Sequence, residues 1–140
     1  ISKELYVESV KIGQLLAREN WLVFCGGGTG VMEAISRGVK LEKGTCIGIL
    51  KGTSDDEGNQ YLSVPIKTGM GVARNAILAY NCDAAVAIGG QYGTLSEIAY
   101  ALQLEKPILG YKTWTIPKLE SIDTINGLIT RLRNIISSNK

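Results

Sequence analysis

The chain has 140 residues, 45% hydrophobic and 20% charged, with a formal net charge of +2 and no histidine. That size and apolar content define one domain with a real core, and the near-balanced charge excludes the field on which nucleic-acid or membrane-surface binding depends. Without histidine there is no Ser-His-Asp chemistry and no His-ligated metal, so no metal site is expected.

Taken in chain order, Leu5, Ile12, Leu15 and Leu16 recur at helical spacing with Glu4, Glu8, Lys11 and Arg18 between them. With Ser2 as N-cap, they predict an amphipathic helix over about 3–19. "WLVFC" (21–25) is a short β-prone run that ends at glycines, and "VMEAISRGVKLEK" (31–43) returns to helical spacing. "TCIGIL" (45–50) reads as a buried strand and "KGTSDDEGNQ" (51–60) as a polar loop of turn formers. In that loop Asp55, Asp56 and Glu57 are expected to be solvated, with a lid as the alternative. "LSVPIKT" (62–68) is another strand, which Pro65 assigns to an edge or an irregular start. Helix "VARNAILAYNC" (72–82), strand "AAVAIG" (84–89), helix "TLSEIAYALQLE" (94–105) and strand "PILGY" (107–111) follow. The stretch 111–123 carries little signal beyond a loop, and a helix closes the chain over about 124–137.

Strands that are apolar throughout and alternate with helices predict a parallel sheet covered on both faces. The fold class is therefore α/β, a Rossmann-like doubly wound sheet in three layers, forming a single nucleotide- or phosphate-binding domain over 1–140. Such folds usually open with a strand, whereas this sequence opens with a helix, so a first strand ahead of Ile1 is expected. No apolar run approaches the roughly 20 residues of a membrane span, and no signal peptide is visible. Three cysteines without C-x-x-C spacing fit reduced thiols and a cytoplasmic location. Cys25 and Cys46 read as small apolar residues, with ligand contact by Cys25 as the alternative.

Three glycine clusters, "CGGGTGVMEA" (25–34), "TGMGVARN" (68–75) and "IGGQYGTLSE" (88–97), all fall at strand-to-helix turns. In a doubly wound sheet those turns share the carboxyl edge, where ligands bind. Helix N-termini offer unpaired N–H groups and partial positive charge, and glycine lets backbone approach a phosphate. The expected ligand contacts are Gly26, Gly27, Gly28, Thr29, Gly69, Met70, Arg74, Gly89, Gly90, Gln91, Tyr92, Gly93, Thr94 and Glu97. The first cluster lacks the lysine and hydroxyl of a P-loop, and it does not fit G-x-G-x-x-G. Nor does the following strand end in a ribose-binding acid. Arg74 begins one helix and Glu97 is expected in the first turn of another, so the two could flank a ligand, form a structural ion pair, or be no more than a capping glutamate and a surface arginine. Thr94 either caps its helix or donates to phosphate, and capping is the expectation for it alone.

"GGQYGTLSE" (89–97) resembles the P-G-G-x-G-T-x-x-E motif of the LOG-like Rossmannoid superfamily, with Gly93, Thr94 and Glu97 in place. Gly89, Gln91 and Asn75 depart from the hydrolase pattern, which has proline, glycine and lysine there. In hydrolase members the matching arginine and glutamate release a base from a nucleoside 5′-monophosphate; carried over, Arg74 and Glu97 would be catalytic only in that case. "TGMGVARN" and "IGGQYGT" are more similar to the molybdenum cofactor carrier branch. The resemblance implies a carrier of a phosphate-bearing ligand, AMP-like or molybdopterin-type. The molybdenum cofactor would be its cargo, no cofactor would be required, and a homo-oligomer is implied. A phosphoribohydrolase is the alternative, and a lysine decarboxylase is not expected.

Overall fold

The computed structural model describes residues 1–138, and the chain divides into two compact units, Ile1–Arg74 and Asn75–Lys140. In the first unit, helix α1 (Lys3–Arg18) begins where the sequence predicts, with the Ser2 hydroxyl accepting from the Leu5 N–H at 3.1 Å. Strand β1 (Val23–Cys25), helix α2 (Val31–Leu41), strand β2 (Cys46–Leu50) and strand β3 (Val64–Lys67) follow. Their sheet runs β1-β2-β3 with both pairs parallel.

Pro65 lies in the edge strand β3, where its missing N–H costs the ladder least. The apolar run nevertheless does not bury this strand: all four of its residues are exposed. The 51–60 loop is solvated at its acidic tip, where Asp55–Glu57 forms a 3-10 turn capped by Ser54.

α1 and α2 pack through two glycines that carry the helix backbones close together. A Cβ on Gly38 would stand 2.1 Å from the Val10 carbonyl oxygen, and one on Gly13 would stand 2.4 Å from that of Ile35. This explains a glycine in the middle of α2, where it weakens the helix by about 1 kcal/mol against alanine. Ile12, Ala34 and Val39, all fully buried, fill the same unit, each large apolar side chain contributing about 1.5–3 kcal/mol by leaving water.

Helix α3 (Arg74–Asn81) follows the 3-10 turn Gly71–Ala73 and begins on the last residue of the first unit; the second unit continues with strand β4 (Ala85–Ile88), helix α4 (Tyr92–Gln103), strand β5 (Ile108–Tyr111), strand β6 (Glu120–Ser121) and helix α5 (Ile125–Ser138). Its sheet runs β4-β5-β6, again parallel throughout. Ala87, Ile98, Ala101, Ile108 and Leu119 form its core, with Trp114 and Ile116 packed against it. β6 is missing from the sequence reading because two polar residues, Glu120 and Ser121, carry no strand pattern. Among the described residues no helix is long and apolar enough to cross a membrane.

Gly38→Ala is expected to force α1 and α2 apart and to cost about 1–3 kcal/mol, read as a lowered urea midpoint.

Candidate functional site

In the first unit the loop after β1 is held by its carbonyls. Arg74 Nη1 donates to the carbonyls of Gly26 at 2.7 Å and Ile49 at 2.8 Å. Asn59 donates its backbone N–H to the Gly27 carbonyl at 2.8 Å. Its Nδ2 reaches the Gly27 carbonyl at 3.3 Å, the Gly28 carbonyl at 2.9 Å and the Ser36 hydroxyl at 3.3 Å. Three successive carbonyls are thereby turned inward. The N–H groups of Gly28 and Thr29 find no acceptor among the described residues.

Cys25 sits beneath this turn and receives the Gly27 N–H on its sulfur at 3.3 Å. Its sulfur lies 3.5 Å from the Ser36 hydroxyl and 3.8 Å from Cys46 Sγ, so it faces the interior. The neighbouring Cys25 thiol, and then burial, push the Cys46 thiol far above its ordinary range and keep it protonated.

Gly26 and Gly27 have internal reasons to be glycine. A Cβ on Gly26 would stand 2.3 Å from Arg74 Nη1, which is pinned to two carbonyls, whereas one on Gly28 would meet only the flexible end of Met32, at 2.8 Å. Gly27 takes φ +76 with Leu50 against it, a conformation that suits glycine. Arg74 is therefore no surface arginine: it is 9% exposed, and its Nε is buried without a hydrogen-bond partner. Its guanidinium shapes the glycine loop through the carbonyls.

The 68–71 turn differs in its donors. The Gly69 N–H donates to the Gly52 carbonyl at 2.9 Å and the Gly71 N–H to the Lys51 carbonyl at 2.8 Å. The Met70 N–H is held by the Thr68 hydroxyl at 3.2 Å. Gly69 and Met70 thus spend their N–H groups within the unit.

In the second unit the loop between β4 and α4 repeats the inward tethering of carbonyls. The Thr113 hydroxyl donates to the Gly89 carbonyl, Trp114 Nε1 to that of Gln91 at 3.2 Å, and Asn75 Nδ2 to that of Gly93 at 3.5 Å. α4 begins at Tyr92, two residues before the expected start. Thr94 is therefore inside the helix and does not cap it; Gln91 is the N-cap and makes no side-chain capping bond. For the same reason the half-buried Glu97 stands in the second turn, not the first.

The first N–H of this helix to find a backbone acceptor is that of Leu95, which donates to Gln91 at 3.1 Å. The N–H groups of Gly90, Gln91, Tyr92, Gly93 and Thr94 have none among the described residues, as helix geometry dictates for a first turn. Gly89, at φ +82, makes the turn. Gly90 and Gly93 are exposed, and a Cβ on either would meet nothing within 4 Å. Neither packing nor a left-handed conformation calls for glycine at those two positions.

A separate cleft of about 460 Å³ lies by the start of β5, between Lys106, Lys118, Glu120 and Arg131. Two of its three cations are engaged: Arg131 pairs with Glu120 at 2.9 Å, and Lys106 Nζ donates to the carbonyls of Tyr80 and Cys82.

Parallel strands joined through helices, with glycine-rich turns after β1 and β4, define a Rossmann-like α/β protein. Residues 1–135 match the model of the SLOG cluster4 family, and the chain belongs to that family, within the LOG-like superfamily. An uncharacterized protein of Archaeoglobus fulgidus is 38% identical over 110 residues, 79% of this chain and 72% of that protein. The molybdenum cofactor binding protein of Rippkaea orientalis superposes with a TM-score of 0.91 at 30% identity, covering 97% of this chain and 90% of its own. The molybdenum cofactor carrier protein of Chlamydomonas reinhardtii gives a TM-score of 0.87 at 29% identity, with 98% and 91% covered.

Asn59→Asp replaces two donor contacts to carbonyls with carboxylate repulsion. It is expected to cost about 1–3 kcal/mol in urea denaturation, with a deficit against wild type that narrows as the new carboxyl protonates toward about pH 4.

Proposed function

We propose that this protein binds a phosphate-bearing, nucleotide-like ligand and carries it without chemical change, the cargo being of the phosphorylated-pterin, molybdenum-cofactor type. The observation that supports this most directly is the run of five N–H groups from Gly90 to Thr94. It stands at an exposed helix start whose two open glycines have no internal purpose. Such an edge is complementary to the oxygens of a phosphate and adds the helix's partial positive charge. The likeness to the two molybdenum cofactor proteins supports the pterin type of cargo.

The hydrolase alternative would need Glu97 to assist departure of a base from a nucleoside 5′-monophosphate and Arg74 to touch the ligand. Arg74 instead spends Nη1 on two carbonyls. The carrier reading therefore stands ahead.

AMP serves as the accessible probe. Calorimetry is expected to detect binding, and Gly90→Val to weaken it at least about tenfold while the urea midpoint is unchanged, because its side chain enters open space. Unchanged affinity in that variant contradicts the phosphate loop. Chromatography after incubation with AMP is expected to show no free adenine; adenine that disappears in Glu97→Ala would make the protein a hydrolase.

A further inference from the structure

Beside the glycine loop of the second unit stands a pair of rings that phosphate binding does not use. Tyr92, the first residue of α4, is 83% exposed. Its ring stacks on that of Trp114, with centroids 6.2 Å apart and planes inclined by 28°. The two rings are held very differently. Trp114 packs with Ile116 against the core and ties its Nε1 to the Gln91 carbonyl, so the indole is fixed. Tyr92 is covered by little besides that indole and leaves most of its ring in water. Large aromatic surfaces left exposed next to a polar rim mark places where something binds.

Two further features belong to the same loop. Gly90 and Gly93, on either side of Tyr92, present no side chain and have open space above them. Asn75, 3% exposed, lies against the loop through Gly93 and through the Ser96 hydroxyl at 3.3 Å; its Oδ1 is buried with no hydrogen-bond partner. A buried acceptor without a donor costs free energy that proteins seldom leave uncompensated. Here it sits against the segment that carries Tyr92 and the unpaired N–H groups.

We infer that Tyr92, backed by Trp114, is a stacking subsite for the planar, nitrogen-rich heteroaromatic ring of the ligand. The inference rests on the phosphate reading above and adds to it what lies at the other end of the ligand. Stacking accepts any flat π-system by its face, and an indole fixed in advance lowers the ordering cost on binding. A phosphate site and a ring site adjoining within one turn of helix select compact molecules in which ring and phosphate are close. A mononucleotide or a phosphorylated pterin meets that description, and a sugar phosphate alone does not.

Three probes separate the two ends: ribose 5-phosphate has only the phosphate, 6-hydroxymethylpterin only the ring, and AMP both. Calorimetry on wild type, Tyr92→Ala and Tyr92→Phe is expected to show AMP weakened about tenfold by alanine and restored by phenylalanine, with ribose 5-phosphate unchanged. In a Trp21→Phe background, where Trp114 is the remaining indole, the ring-bearing probes are expected to quench emission and ribose 5-phosphate is not. 6-Hydroxymethylpterin binding that depends on Tyr92, with no ribose 5-phosphate binding, would retain the subsite and remove the phosphate loop. Equal weakening of AMP and ribose 5-phosphate by Tyr92→Ala would overturn the subsite. So would an unaltered AMP affinity, or the failure of both ring-bearing probes to bind wild type at millimolar concentration.

Discussion

The arrangement depends on side chains that seize the carbonyl oxygens of the glycine loops. A peptide group has two polar edges, and fixing the carbonyl inward leaves the N–H facing out unless the chain takes that too, as Cys25 takes the Gly27 N–H. In the first unit Arg74 and Asn59 take the carbonyls of Gly26, Gly27 and Gly28; in the second, Thr113, Trp114 and Asn75 take those of Gly89, Gln91 and Gly93. Unrelated side chains, one charged and four neutral, do the same work. What emerges is a backbone whose donors are held in place in advance, which on the proposed reading spares a phosphate the cost of ordering the loop.

Glycine itself has two different uses here. At 26 its missing side chain makes room for the protein's own Arg74, and at 27 it permits φ +76, so these positions would be glycine in a protein with no ligand at all. At 90 and 93 the missing side chain makes room for nothing within the chain. On the proposed reading this favours the second unit's loop as the phosphate site. The helix that follows it contributes its first-turn donors there, and the aromatic pair adjoins them.

Much of this was legible in the sequence. Apolar runs and helical periodicity place ten of the eleven α-helices and strands among the described residues, because buried strands and amphipathic helices carry their burial in their spacing. Pro65 marked an edge strand correctly. The exception was β6, two residues that join the sheet through backbone pairing with Leu109 and Gly110 and have no side-chain pattern to announce it. The start of α4 was read two residues late because Thr94 looks like a cap and Gly93 like a breaker, while the actual N-cap, Gln91, is a weak one. The carbonyl tethers lay beyond reach: Asn59 meets Gly28 across 31 residues and Trp114 meets Gln91 across 23, and no spacing rule joins such partners. Asn59 looked like one more turn former in a polar loop. The glycine-rich strand-to-helix turns were visible, but the sequence could not separate glycines that accommodate a neighbour from glycines that leave a surface open.

The most direct test of outward-facing donors is a backbone amide NMR titration with AMP. The largest downfield amide-proton shifts are expected at Gly90 through Thr94, saturating together, because a phosphate oxygen deshields the N–H that donates to it. Shifts spread over the surface, or confined to residues outside that segment, would contradict it.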